Sequence, residues 1–365
     1  MTTVVIAGGG TGGHLMPALA IAQALEHARP GIRVVLAGAR RGVESRLLPR
    51  RPHPFELLPA EPIYRRQWWK NIRLPITAVR VLRAAARLLD RERPDVVVGT
   101  GGYASGPVVW LAARRGIPTA IQEQNAWPGF ASRRLARSVR EVYLGVPEAG
   151  RHLRIGPRGV MIPTGNPIAV PDRSPGARGR ARARFLSTGA LPVVVVTGGS
   201  QGSLALNQRI AEWLQAGGGQ GLQLIWAAGP ATVGQFRRFH APPFVQVIDF
   251  IDPMSDAWAI ADLAVARAGM MTIAELCAWG VPSILVPLPT AAADHQTPNA
   301  RVMAEAGAAV HLPQSGLGPG VLGPEIDRLV GDPAIRARMA ECALSRGKPG
   351  AAAEIAARIL ALADS

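Results

Sequence analysis

Residues 4–14 read VVIAGGGTGGH and residues 192–203 read PVVVVTGGSQGS. Each stretch is a short β-branched run that breaks into a glycine-rich turn. A helical pattern follows in both, from Pro17 and from Leu204. Short apolar runs bounded by turn residues read as buried strands. Glycines in such a turn allow positive φ and let backbone N–H groups approach an anion at the start of the next helix. Strand, glycine turn and helix therefore open each half of the chain, which reads as two Rossmann-like domains in tandem.

Outward from these two openings the βαβ rhythm continues. The first half carries candidate strands at 33–36, 95–98, 119–122 and 141–144, with amphipathic stretches at 17–28 and 75–91. The second carries strands at 222–226, 245–248, 263–266 and 283–286. Between them, GNPIAVPDRSPGARGRARARF (165–185) is rich in Pro, Gly and Arg and reads as a linker. The expected domains are 1–164 and 165–349. An alanine-rich final helix, about 350–365, is expected to pack back on the first.

The chain has 365 residues, 48% of them hydrophobic and 18% charged, enough for two cores. Lys+Arg is 41 against 25 Asp+Glu, a net +16 carried mostly by Arg. That balance suits nucleic acid, an acidic membrane surface or phosphorylated substrates. No helix-turn-helix, zinc or ribonucleoprotein motif accompanies it, so no nucleic-acid partner is expected. Cys277 and Cys342 have no ligand spacing, which argues against structural zinc and for a reducing compartment. The N-terminal apolar run breaks at Gly8 and does not read as a signal peptide, and no run is long enough to span a bilayer.

Gly8-x-Gly10-x-x-Gly13 formally matches a dinucleotide fingerprint. The acid expected at the end of the second strand is absent, and Arg40 and Arg41 stand there. A tight turn without ligand and an NADP-dependent oxidoreductase both remain open on this segment. Three further glycine turns, at 99–107, 198–202 and 267–269, each follow a strand at its carboxyl end. That edge is where open α/β sheets bind ligands, so a cleft between the domains is expected.

The set GGGTGGH, GTGGYASGP, QEQN, GNP, GGSQGS, RAGMMTIAE and DHQTPNA, in this order from Gly8 to Ala300, resembles the MurG family. The resemblance implies a GT-B fold, two Rossmann-like domains with parallel sheets facing across a cleft. It implies transfer of N-acetylglucosamine from UDP-N-acetylglucosamine, with inversion, to the C4 hydroxyl of undecaprenyl-pyrophosphoryl-N-acetylmuramoyl pentapeptide in peptidoglycan synthesis. A UDP-N-acetylglucosamine 2-epimerase and a diacylglycerol glycosyltransferase share the fold and stay as alternatives. The resemblance also implies a peripheral protein on the cytoplasmic face of the bacterial plasma membrane, with other cell-wall synthesis proteins as further partners. No cofactor is expected, UDP-N-acetylglucosamine being a co-substrate. No metal is expected either, because the sequence holds no Asp-x-Asp.

By the same resemblance Ser200, Ile251, Met270, Met271, Thr272, Glu275 and Gln296 meet the donor, with Glu275 on the ribose, the Ile251 backbone on uracil and Gln296 on the sugar. Asp294 and His295 are weaker neighbours. The helix after Arg267-Ala268-Gly269 offers its N-terminus to the diphosphate. Thr11, Gly12, Gly13 and Asn125 face donor sugar or acceptor, and Gly102, Tyr103 and Ser105 the acceptor pyrophosphate. His14, at the start of the first helix, suits a base kept neutral by the helix N-terminus, and Glu123 is the rival. Ala169 stands where family members often carry Arg, so a nucleotide interaction is either missing or supplied by another arginine such as Arg173. Arg73, Arg80, Arg83 and Arg87 fall on one helix face after Trp68 and Trp69, with Trp110 near, an arrangement suited to anionic lipid.

Overall fold

The computed structural model describes residues 1–10, 12–42, 44–61, 69, 72 and 74–365. Thr11, Trp68 and Arg73, singled out above, lie outside the described residues. The chain divides into two compact units, Met1–Ala169 with Pro349–Ser365, and Val170–Lys348.

The first unit holds strands β1 (Thr3–Gly8), β2 (Arg33–Ala39), β3 (Phe55–Leu58), β4 (Val96–Gly101), β5 (Thr119–Glu123), β6 (Glu141–Leu144) and β7 (Val160–Ile162). They pair in parallel in the order β3-β2-β1-β4-β5-β6-β7. Helices cover both faces of such a sheet, which is why its central strands read as unbroken apolar runs. The winding reverses between β1 and β4, which places the first two glycine turns side by side at the switch point.

The helix Gly12–Ala28 packs Leu15, Ile21 and Leu25 on this sheet. The last helix, Ala351–Ala363, lies against it and buries Ile355 and Ile359, each worth about 1.5–3 kcal/mol. Arg358 adds a bidentate pair to Glu141 on β6, at 2.9 and 2.7 Å, and Arg29 pairs with Asp364 at 2.6 Å.

The second unit repeats the winding with β8 (Val193–Thr197), β9 (Gln223–Ala227), β10 (Val245–Ile248), β11 (Leu263–Ala266), β12 (Ser283–Leu285) and β13 (Ala309–His311), in the parallel order β10-β9-β8-β11-β12-β13. Its core gathers Val194, Val196, Leu206, Ile210 and Trp226. The tandem Rossmann-like reading is therefore the observed α/β architecture.

Two local expectations change. The expected linker carries a helix, Pro175–Arg184: the Ser174 hydroxyl caps it by accepting from the Ala177 N–H at 3.2 Å, with Pro175 at its first position. The first helix begins at Gly12 and takes Pro17 inside it, because the glycine turn passes straight into helix. Among the described residues, no helix is long and apolar enough to cross a membrane.

Candidate active site

The first two glycine turns are pressed together. Gly102 has φ +80°, and a Cβ there would lie 1.8 Å from the Gly9 carbonyl oxygen. Gly101 has φ +94°, and a Cβ there would lie 2.6 Å from His14 Nδ1. Beneath them sits Glu44, fully buried, whose Oε1 accepts from the N–H groups of Gly10 and Ala39, each at 2.7 Å. This carboxylate turns inward onto the glycine turn and occupies the Gly10 amide. Arg41 pairs with Glu61 at 3.0 Å, and Arg40 donates Nε to the Leu57 carbonyl at 3.1 Å. These interactions tell against the dinucleotide reading of Gly8-x-Gly10-x-x-Gly13.

His14 follows in the first turn of its helix. Its Nδ1 lies 3.1 Å from the Thr100 carbonyl oxygen and 3.1 Å from Gln124 Oε1. Gln124 Nε2 donates to the Thr100 and Gln122 carbonyls at 2.8 and 3.2 Å, and also bonds Gln122 Oε1, which turns its Oε1 towards the imidazole. Both partners of Nδ1 are acceptors, so Nδ1 carries the proton and Nε2 keeps the lone pair. Thr100 holds the other side, its hydroxyl donating to the His14 carbonyl at 2.8 Å.

Glu123 is buried and committed to its own loop. Its Oε1 accepts from Asn125 N–H at 3.0 Å and Asn125 Nδ2 at 3.2 Å, and its Oε2 from Gly129 N–H at 3.0 Å. Both Glu123 oxygens are thus engaged within its own loop, where they hold Asn125 and the Gly129 N–H. Asn166 of the GNP motif accepts from Gln122 Nε2 at 2.9 Å and donates to the Gln124 carbonyl at 3.2 Å. Gly12 and Gly13 are exposed, Gly102 and Tyr103 half-buried. The Ser105 hydroxyl is buried against Gly99, because the helix Ser105–Arg114 turns that side chain towards the sheet, and among the described residues it has no hydrogen-bond partner.

On the second unit, β11 leads through Arg267-Ala268-Gly269 into the helix Met270–Trp279, whose N-terminus has no side-chain cap. Met270 is buried, with Met271 and Thr272 half-buried in the first turn. Glu275 Oε2 accepts from Trp258 Nε1 at 3.1 Å, and burial raises its pKa above the ordinary carboxylate value. Ser200 is exposed in its glycine turn, and Ile251 is buried. Gln296 uses Oε1 to accept from Leu288 N–H at 2.9 Å. Arg173 donates Nη2 to the Ala278 carbonyl at 2.5 Å. Among the described residues no three His, Cys, Asp or Glu side chains form a metal-holding group.

Three positions beyond the sequence reading support these loops. Thr100 and Gln124 fix His14 from 86 and 110 residues away. Arg267 is buried, and among the described residues no carboxylate pairs with it: it donates to the Val286 and Pro287 carbonyls at 3.2 and 3.0 Å and to Ser203 Oγ and Gln314 Oε1, both at 2.6 Å. Burial lowers its pKa. It ties the turn at 198–203 to the end of β12. The GTGGYASGP, QEQN and RAGMMTIAE motifs contained all three of these residues, but only the fold shows what they touch.

On the helix Leu74–Glu92, Val81, Ala85, Leu88 and Leu89 face the core, while Ile76, Val79, Arg80 and Arg83 are exposed. Trp69 is 54% exposed ahead of it. Trp110 is exposed on the neighbouring helix, with the Arg114 guanidinium 5.0 Å from its ring centroid.

Two parallel Rossmann-like units in tandem, each with glycine turns at the carboxyl edge of its sheet, are the units of the GT-B fold. Residues 4–144 match the glycosyltransferase family 28 N-terminal domain and residues 193–355 the glycosyltransferase family 28 C-terminal domain, and the chain belongs to this family. It is 40% identical, over 99% of its length and 97% of the relative's, to the UDP-N-acetylglucosamine–N-acetylmuramyl-(pentapeptide) pyrophosphoryl-undecaprenol N-acetylglucosamine transferase of Salinibacter ruber. The enzyme of the same name from Halorhodospira halophila is 41% identical, over 97% of this chain and 96% of its own. Among solved structures, Acinetobacter baumannii MurG superposes with a TM-score of 0.78 at 29% identity, covering 99% of both chains.

Proposed function

We infer that this chain is an N-acetylglucosamine transferase that moves the sugar from UDP-N-acetylglucosamine to undecaprenyl-pyrophosphoryl-N-acetylmuramoyl pentapeptide, converting lipid I to lipid II. The observation that carries the reading is the match, at 40% identity and over nearly full length, to a transferase of that name.

The chemistry follows from the groups described. His14 Nε2 takes the proton from the attacking C4 hydroxyl as the new bond forms at the anomeric carbon. Nδ1–H, held by Thr100 and Gln124, then carries part of the developing imidazolium charge. UDP departs with the bonding pair, and the N-terminus of the helix Met270–Trp279 stabilises its diphosphate. Glu275 accepts from the ribose, the Ile251 backbone meets uracil, and Gln296 offers Nε2 to the sugar, its Oε1 being occupied. Gly12, Gly13, Gly102 and Tyr103 meet the acceptor pyrophosphate. Exposed Trp69, Ile76 and Val79 beside Arg80 and Arg83 support docking on an anionic membrane surface at its cytoplasmic face.

The test is incubation with radiolabelled UDP-N-acetylglucosamine and the lipid-linked acceptor, following label in the lipid phase and UDP released. Acceptor-dependent label is expected. Interconversion of the donor sugar without acceptor would replace this reading with the epimerase.

A further inference from the structure

Beneath the first glycine turn the fold builds a seat for a carboxylate, and Glu44 fills it. Glu44 opens a single helical turn, Glu44–Leu47, that follows β2. Among the described residues its hydrogen-bond partners are backbone amides, the Gly10 and Ala39 N–H groups, both on Oε1. Oε2 is buried and has no hydrogen-bond partner among the described residues. Three glycines clear the space. A Cβ at Gly9 would overlap Oε1, one at Gly42 would overlap Oε2, and one at Gly38 would lie 2.5 Å from the Glu44 Cγ. Three separate stretches, the turn after β1, β2 itself and the loop after it, give way to one side chain.

A side chain kept for stability alone is poorly served there. An unpartnered buried oxygen costs free energy that an apolar side chain of similar size would not incur. What Glu44 grips is the most pliant backbone of the site. Gly9 and Gly10 have φ +148° and +96°, and glycine loses more freedom on ordering than any other residue. The bond to the Gly10 N–H pins this stretch directly. From there the constraint passes to the groups around the reaction. A Cβ at Gly10 would lie 2.6 Å from Tyr103 Cε1, and one at Gly8 would overlap Thr100 Oγ1. Thr100 in turn holds His14 twice, donating its hydroxyl to the His14 carbonyl and offering its own carbonyl to Nδ1. A turn released at Gly10 cannot shift towards these residues without moving Tyr103 or Thr100, and with Thr100 the imidazole.

We propose that Glu44 is a positioning residue for the transfer: as an internal anion it fixes the first glycine turn and, through Thr100 and Tyr103, the placement of His14 and of the second turn. The inference rests on the transferase reading of this site. It also explains why a turn of dinucleotide-binding spacing keeps no Gly10 N–H for a phosphate, since the protein's own carboxylate takes it.

Transfer of label into the lipid-linked acceptor is measured for wild type, Glu44→Ala, Glu44→Gln and Gly42→Ala. Turnover is expressed per UDP-binding site, so that unfolded protein does not count. UDP is assigned to the second unit, and its Kd should stay within about twofold of wild type. Glu44→Ala should lower kcat by about tenfold to a hundredfold, the scale of loss that a displacement of about 1 Å brings. Glu44→Gln keeps an oxygen for both N–H groups and should recover most of it. Acetate replaces the atoms removed in Glu44→Ala. It should raise the kcat of that variant severalfold over chloride at equal ionic strength and leave wild type unchanged. Gly42→Ala keeps Glu44 but crowds its seat, and should lower kcat in the same direction. A folded Glu44→Ala with kcat within about twofold of wild type, or a loss that neither glutamine nor acetate restores, overturns this inference alone. If Glu44→Ala does not fold, a wild-type kcat in Gly42→Ala overturns it. Wild-type protein that binds UDP yet transfers nothing overturns the transferase reading, and this inference with it.

Discussion

Replacing Gln124 by leucine tests the arrangement around His14 most directly. Gln124 supplies one of two acceptors to Nδ1–H, and the leucine leaves the Thr100 carbonyl as the other. In the ground state the lost bond joins neutral groups and is worth about 0.5–1.5 kcal/mol. As Nε2 takes the proton, the imidazole becomes cationic and the same bond rises to about 1.5–3 kcal/mol. Only the difference, about 1–1.5 kcal/mol, slows the chemical step, so the expected fall in kcat is roughly fivefold to tenfold. The KM for UDP-N-acetylglucosamine should stay near wild type, since Gln124 touches no group assigned to the nucleotide. Transfer of label into the lipid-linked acceptor at saturating donor measures both. Gln124→Glu sharpens the test: an anion beside Nδ1 favours the imidazolium, so the acidic limb of the kcat profile should move to higher pH. A Gln124→Leu protein that binds UDP normally and keeps kcat within about twofold would remove Nδ1 orientation from the mechanism.

His14→Asn keeps a donor near the Thr100 carbonyl but has no base, so turnover should fall by at least about a hundredfold in the same assay. Glu275→Ala should weaken UDP by about tenfold to a hundredfold in calorimetry, through loss of a charged acceptor. Burial raises the Glu275 pKa, so wild-type UDP affinity should decline, as pH falls, earlier than an ordinary carboxylate allows, and Glu275→Ala should lack that step. Fold stability linked to this group runs the opposite way: it is present at low pH and is lost as pH rises through the raised value. Glu44→Ala strands the buried Ala39 N–H and the half-buried Gly10 N–H and should cost about 1–3 kcal/mol in denaturant unfolding. Glu44→Gln keeps an accepting oxygen and should recover most of that loss.

Much of the architecture was legible because parallel strands buried on both faces leave unbroken runs such as Val193–Thr197. The outermost strands β3, β7 and β13 were not, being only three or four residues long with partly exposed patterns. Glycine turns advertised the binding edges in the sequence itself. The partners that set the His14 tautomer did not, since nothing in a linear reading joins residue 14 to 100 and 124. Ser105 shows the converse: it sits in a turn rich in binding signals, yet the helix start sends its hydroxyl inward. Glu44 falls outside the spacing expected of a ribose-binding acid, so its role under the glycine turn emerged only with burial and bond partners in view.

The helix Ala351–Ala363 has a consequence for how the chain is made. It belongs to the unit whose other residues leave the ribosome first, and it covers the side of Gly12–Ala28 that buries Ile355 and Ile359. During synthesis of Val170–Lys348 the first unit must wait with that apolar surface uncovered, open to chaperones or to misassociation. The unit begun first is completed last. A premature stop just ahead of Ala351 would damage the opposite end of the gene product, while leaving the second unit's own sheet whole.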